Sequence, residues 1–304
     1  MRFTKMHGLG NDYVHVNGFE EAVAQPAPLA RLLSDRHFGI GADGLILILP
    51  SRLADVRMRM FNADGSEAQM CGNGIRCLAK YAYEHGLTRG RPAGPTPCAN
   101  LVRQLYPTAD DLREISVETG RGVLTLVIGL CSASAELIGA DLGEPVLLPS
   151  LIPVNVTGQQ AVGVPLRLED HDLLMTCVSL GNPHAVFYTE NVQEVDLERL
   201  GPLIENHPLF PERTNVHFVQ PLSAAEVVMR TWERGSGLTL ACGTGAAAVC
   251  VAGVLASKSD RQLLVHLPGG DLHLLWRTQD NRVYLAGPAV EVFTGDWPDT
   301  PITA

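Results

Sequence analysis

The chain has 304 residues, 46% of them hydrophobic and 18% charged, with a formal net charge of -10 at pH 7. That is the make-up of a well-packed globular protein, long enough for two domains. The acidic balance and the lack of any basic stripe argue against nucleic acid as a partner, because phosphate binding needs a basic face. No stretch approaches the ~18 uninterrupted apolar residues of a membrane span, and "MRFTKMHGLG" lacks the apolar core of a signal peptide. A cytoplasmic protein without a membrane partner is therefore expected.

In chain order, "RFTKMHG" reads as a strand that breaks at Gly8-Leu9-Gly10-Asn11-Asp12, and "YVHVNGF" alternates again with period two. A short helix is expected from Leu29 to Asp35, then the glycine-rich "FGIGADG", an apolar strand "LILIL" and the alternating "VRMRMFN". A helix led by Cys71 follows. Between Gly86 and Glu114 the stretch "LTRGRPAGPTPCANLVRQLYPTADDLR" carries four prolines and reads as a surface loop with one short helical turn, its Cys98 incidental. Strand-like alternation resumes in "ISVETGRGVLTLVIG", "VSLGNPHAVFY" and "LLVHLPGGDLHLLW". The later half repeats the order of the first: "VHFVQ", "EVVMRTWERG", a glycine turn, and a second helix led by Cys242. Short strands between Gly/Pro turns, with few long helices, indicate α+β rather than a doubly wound parallel sheet.

Seven cysteines in a chain without an export signal imply reduced thiols. No CxxC pair or HxxxH cluster completes a tetrahedral site, so no metal is expected. Two of the thiols share a context: "SEAQMCGNGIRCLAKYA" and "LTLACGTGAAAVCVAG" each place a cysteine before Gly-x-Gly and a run of helix formers. A lone Cys-Gly-x-Gly is best read as a small buried residue before a turn; two copies change that reading. A helix start offers a thiol the positive end of the macrodipole, which is expected to lower its pKa. The N–H groups of Gly72, Asn73, Gly243 and Thr244 would bind a carboxylate, with glycines allowing close approach. A thiol pair beside a carboxylate cradle suits proton removal from one face of the adjacent carbon and proton return to the other, which inverts it. Redox use would normally place the two cysteines close in sequence.

The motifs "KMHGLGNDY", "DRHFGIGADG", "FNADGSEAQMCGNGIRC", "GNPHAVF", "FPERTNVHF", "WERGSGLTLACGTGA" and "LPGG", running in order from Lys5 to Gly270, resemble those of diaminopimelate epimerases. The resemblance implies a pyridoxal-independent isomerase that needs no cofactor and converts LL- to meso-diaminopimelate, for lysine and peptidoglycan precursor synthesis, and that works as a homodimer. It implies two pseudo-symmetric α+β domains, each a mostly antiparallel sheet wrapped around a central helix. These would span 1–140, joined by a returning strand at 289–304, and 141–288. By the same resemblance Cys71 and Cys242 are the catalytic pair, and Gly72, Asn73, Gly243 and Thr244 hold the reacting carboxylate. Asn62, Asn182, Asn215 and Arg234 hold the distal amino-acid end, Glu233 contacts the reacting amine, and Asn11 and His184 are further site positions. Read without it, Asn182 before Pro183 and Asn215 are turn residues. The chain departs from the pattern at Gly44, where many members carry glutamine, at Leu238, where glutamate is usual, and in the long Pro-rich insert. A racemase of another amino acid such as histidine, and a binding relative without turnover, are the alternatives; retention of Arg234, the three asparagines and both cysteines argues against each.

Overall fold

Strands β1 (Arg2–Gly8) and β2 (Asn11–Asn17) form a hairpin with Gly8 opposite Asn11. Leu9 and Gly10 close it, at φ of 59° and 81°, the paired positive values of a type I′ turn, whose twist matches that of the flanking strands. A leucine in the left-handed region is costly. Here its side chain is buried, so packing offsets the strain and fixes where Asn11 enters the sheet.

The computed structural model describes residues 1–168 and 171–298. They divide into two compact units, Met1–Asp141 with residues 286–298, and Leu142–Leu285; residues 299–304 of the expected returning strand lie outside the described residues. In the first unit β1 and β2 are followed by α1 (Pro26–Ser34), β3 (Gly44–Leu49), β4 (Val56–Asn62), β5 (Glu67–Ala68), α2 (Gly72–Glu84), β6 (Arg91–Pro92), α3 (Pro97–Leu105), β7 (Asp111–Thr119), β8 (Gly122–Cys131) and β9 (Ser134–Asp141). β1 lies antiparallel to β2, β2 runs parallel to β3, β3 antiparallel to β4, β4 parallel to β7, and β7 and β8 continue antiparallel to β9. The last strand, β19 (Val290–Asp296), pairs with β1. One face of the sheet wraps α2, which packs on β1, β2, β3, β8 and β9. The other face takes the apolar side of α1, where Leu29, Ala30 and Leu33 meet Val14, Val16, Leu45 and Phe61.

Two local expectations are corrected. The first helix begins at Pro26 rather than Leu29, because proline is tolerated in the first turn, whose N–H groups lack helical partners anyway. The Pro-rich insert holds a nine-residue helix, α3, rather than a single turn. Thr96 caps it by accepting the Ala99 N–H at 3.2 Å, Pro97 occupies its first turn, and Cys98, Leu101 and Val102 form its buried face. Cys98 is thus a core residue, not an incidental one.

The second unit contains β10 (Ala161–Leu168), β11 (His171–Ser179), β12 (Pro183–Tyr188), α4 (Leu197–Glu205), β13 (Asn215–Ser223), β14 (Glu226–Glu233), β15 (Gly237–Thr239), α5 (Gly243–Leu255), β16 (Gln262–Leu267), β17 (Gly270–Trp276) and the start of β18 (Val283–Gly287), up to Leu285. Its pairings follow the first unit step for step: β11 antiparallel to β12, β12 parallel to β13, β13 antiparallel to β14 and β15 on β14, β14 parallel to β16, and β16 antiparallel to β17. α5 takes the place of α2 and α4 that of α1. Being Ala/Val-rich on every side, α5 suits burial all round; α4 presents Leu197, Leu200 and Ile204 to Phe187, Val216 and Phe218.

The turn between β16 and β17 carries an ion cluster in which His266 reaches Asp271 and Glu226, both at 2.7 Å. These carboxylates raise the His266 pKa. A raised folded-state pKa contributes stability that is complete below the unfolded value and fades as pH rises through the folded one. His266→Asn is therefore expected to narrow its Tm deficit against the parent as pH climbs from 6 to 9, measured by thermal melts; a constant difference would contradict the coupling.

Candidate active site

In the first unit the site is built at the start of α2. Cys71 is its N-cap, extended at φ -134° and ψ 126°, with its sulfur accepting the Gly74 N–H at 3.4 Å. Across from it, on the face of β2 turned toward α2, Tyr13 donates its hydroxyl to the same sulfur at 3.4 Å, and the thiol can donate to Asn11 Oδ1 at 3.6 Å. The sulfur thus has partners in both protonation states, as a group that takes up and releases protons requires. Asn73 Nδ2 donates to Asn11 Oδ1 at 3.2 Å, so Asn11, Cys71 and Asn73 form one cluster, with the Gly72 backbone at its edge. Asn62, at the end of β4, stands apart and donates to Ser66 Oγ at 3.0 Å.

Beneath this cluster lies Arg76, fully buried. Its guanidinium donates to Gly72 O at 2.9 Å, Asn73 Oδ1 at 3.0 Å and Pro288 O at 3.2 Å. All three acceptors are uncharged. Burial lowers its pKa, while the Cys77 and Cys71 thiols act to raise it; a buried cation satisfied only by neutral acceptors is an uncommon and costly arrangement. On the outer side, Asn11 donates to Asp43 Oδ2 at 2.7 Å, and Asp12 is held by Lys5 at 2.7 Å and Arg36 at 2.8 Å. Burial alone would raise the Asp12 pKa, yet Arg36 and Lys5 together hold it below the usual value.

In the second unit Cys242 occupies the position equivalent to Cys71, at the start of α5. It is only 4% exposed. The expected pKa lowering fails here: burial, and then the Glu233 carboxylate beside it, push the Cys242 thiol well above its ordinary value, with the Gly245 N–H and the Thr244 hydroxyl working the other way. The helix dipole is real, but desolvation of the charged form outweighs it. Glu233 is oriented by Thr239, which donates to Oε1 at 2.6 Å. Thr244 Oγ1 lies 3.8 Å from the Cys242 sulfur, and Gly243 opens the helix between them.

Asn215 is not a turn residue: it is buried in β13, donating to Pro183 O at 2.8 Å and accepting the Arg234 N–H at 3.0 Å. Arg234 donates to Glu212 O at 3.0 Å. The loop that carries Glu233 and Arg234 is clamped by buried Glu205, which accepts from Trp232 Nε1 at 2.7 Å, Gly235 N at 3.0 Å and Arg213 at 3.1 Å. Asn182 and His184 are joined at 3.0 Å, and His184 continues to His217 at 2.9 Å. Sequence reasoning missed Tyr13, Asp43, Arg76, Glu205 and His217. Two of them were within reach, since Tyr13 and His217 lie two residues beyond Asn11 and Asn215 and so share a strand face with them.

A family model described as "Diaminopimelate epimerase" matches residues 3–127 and 176–292. The chain belongs to the diaminopimelate epimerase family. A protein named diaminopimelate epimerase from Acetivibrio thermocellus is 49% identical over 97% of this chain and 98% of its own length, and one from Agathobacter rectalis is 48% identical over 97% and 99%. Among solved structures, a probable proline racemase from Agrobacterium radiobacter K84 shares the fold, with a TM-score of 0.70 at 14% identity over 99% of this chain and 93% of that one. Within the family pattern, Gly44 has a local reason: a Cβ there would overlap Phe61 O and stand 3.2 Å from the Tyr13 ring. Leu238 lies on β15, 46% exposed.

Proposed function

We propose that this chain is an isomerase that epimerises LL-2,6-diaminopimelate to meso-diaminopimelate with Cys71 and Cys242 as a thiolate/thiol pair and without a cofactor. The reading is carried by one observation: two like-built units each start their central helix with a cysteine, in a chain of this family. One thiolate breaks the Cα–H bond and becomes a thiol; the carbanion is held by its carboxylate on the N–H groups of Gly72, Asn73, Gly243 and Thr244. The other thiol then forms a new C–H bond on the opposite face and is left as a thiolate. Glu233 beside Cys242 supports the protonated form there, while the Tyr13 hydroxyl and the Gly74 N–H directed at the Cys71 sulfur support charge on it, so the resting enzyme is read as Cys71 thiolate and Cys242 thiol.

Glu233 receives the reacting ammonium, and Asn62, Asn182, Asn215 and Arg234 hold the distal amino-acid end, with Asn11 and His184 completing the site. A shorter amino acid would leave these polar groups unpaired, which is costly. We also read the chain as a cytoplasmic homodimer; exposed Val290, Val292 and Phe293 on β19 support a second copy as partner, and no helix among the described residues is long and apolar enough to cross a membrane. Incubation with LL-diaminopimelate, histidine, glutamate and proline in deuterated water, followed by chiral chromatography and mass spectrometry, tests the reading. Inversion of diaminopimelate alone is expected, with solvent deuterium in early product and little in recovered substrate. Label washed out of substrate ahead of inversion would point to a single base.

A further inference from the structure

The buried chain Asn182–His184–His217–Thr231 joins the tip of β12 to the middle of β14, through bonds of 3.0, 2.9 and 3.0 Å. His184 and His217 are both fully buried. Burial drives both imidazoles to the neutral form: His184 is held well below its ordinary pKa, first by desolvation and then by His217 and Arg234, and His217 falls to about 3. A neutral imidazole has one donor and one acceptor, so each bond in the chain dictates the next. Asn182 turns Oδ1 toward His184, which requires Nε2–H on His184 and leaves its Nδ1 bare. That bare nitrogen must accept from His217 Nε2–H, and His217 Nδ1 must in turn accept the Thr231 hydroxyl. At the open end, the Asn182 Nδ2 group has no partner among the described residues.

Packing alone does not call for this arrangement. The register that sets Tyr13 beside Gly44 in the first unit sets His184 beside Asn215 in the second. Two residues along, Ile46 is then the counterpart of His217. Each meets the glycine three residues past the leading cysteine, Ile46 at Gly74 and His217 at Gly245. An isoleucine fills that place in one unit, so a buried histidine in the other calls for a further reason.

We propose that His217, held by Thr231 and acting through His184, is a positioning residue that locks the Asn182 amide with its NH2 group outward, as a donor to the distal carboxylate of the substrate. The opposite flip would present a carbonyl, which suits an ammonium and repels a carboxylate. The proposal rests on the reading of Asn182 as a holder of the distal end.

The test uses the full chain labelled with ¹³C,¹⁵N-histidine. At neutral pH both imidazoles are expected as neutral Nε2–H tautomers; an Nδ1–H tautomer or a charged ring at His184 would overturn the relay. In kinetics on diaminopimelate, His217→Phe is expected to raise KM about tenfold, the scale of one hydrogen bond to a charged group, with kcat changed less than about threefold. His217→Gln, whose amide can still donate to His184 Nδ1, is expected to recover most of that loss. An unchanged KM in folded His217→Phe, or equal loss in both variants, would refute the proposal. If His217→Phe does not fold, the tautomers and the His217→Gln variant still decide. Asn182→Ala separates the two ideas: if its KM is unchanged, the reading of Asn182 as a substrate contact is wrong, whatever the tautomers show.

Discussion

Cys71→Ala and Cys242→Ala are each expected to lower the rate of inversion by about a thousandfold or more, within the range that general acid–base groups contribute. Neither should unfold the protein. Cys71 caps α2 through the Gly74 N–H, and loss of a cap costs about 1 kcal/mol. Cys242 is buried, so its truncation leaves a small cavity worth about 1–2 kcal/mol. Cys77 is the control: it is buried in the same helix, its thiol is pushed up to about 12 by burial, and Cys77→Ala should cost stability without touching the rate. Proton exchange without inversion is the informative residue of activity. A variant keeping one thiol can still remove and return the α-proton on its own face, so deuterium should enter one isomer only. Near-normal inversion in either single variant would end the two-thiol reading.

Gly245→Ala carries the second large effect, with a sign opposite to the usual one. In a helix interior alanine is favoured over glycine by about 1 kcal/mol. Here the added Cβ would overlap His217 Cε1, stand 2.9 Å from His217 Nε2 and lie 3.1 Å from the Cys242 sulfur. A buried imidazole inside a hydrogen-bonded chain cannot swing aside without orphaning its partners. Overpacking of this kind costs about 1–3 kcal/mol, and a sulfur displaced by about 1 Å can lose a hundredfold in rate. A drop in Tm together with a large fall in kcat is the expected result, read by melting and steady-state kinetics. Gly94→Ala, with nothing within 4 Å of the added methyl, should leave both unchanged. A Gly245→Ala protein as stable and active as its parent would show that His217 and the start of α5 are not in contact.

What the sequence made legible was whatever a short window contains. Period-two alternation marked most strands, and the repeated Cys-Gly-x-Gly marked the starts of the two central helices. Its reading failed where a residue's meaning depends on distant chain. Arg76 looks like an ordinary solvated charge on a helix, because nothing within the helix announces that β1 and Pro288 enclose it. Prolines in the insert suggested a loop, although Thr96-Pro97 is also a sound helix start. At Cys242 the dipole is a local feature and could be anticipated; the desolvation that overrides it comes from strands folded around α5, and the carboxylate comes from the end of β14.

The unlike surroundings of the two helix starts, hydrogen-bond donors directed at Cys71 and a carboxylate beside Cys242, have a kinetic consequence. Under the proposed chemistry a turnover ends with the proton on Cys71 and the charge on Cys242, the less comfortable distribution. Before a second molecule of the same isomer can react, the vacant enzyme must reset itself by passing a proton back. On that chemistry two ligand-free forms are expected, each committed to one isomer of the substrate. When both isomers are abundant they keep the forms apart, and throughput is governed by a step in which no substrate is bound.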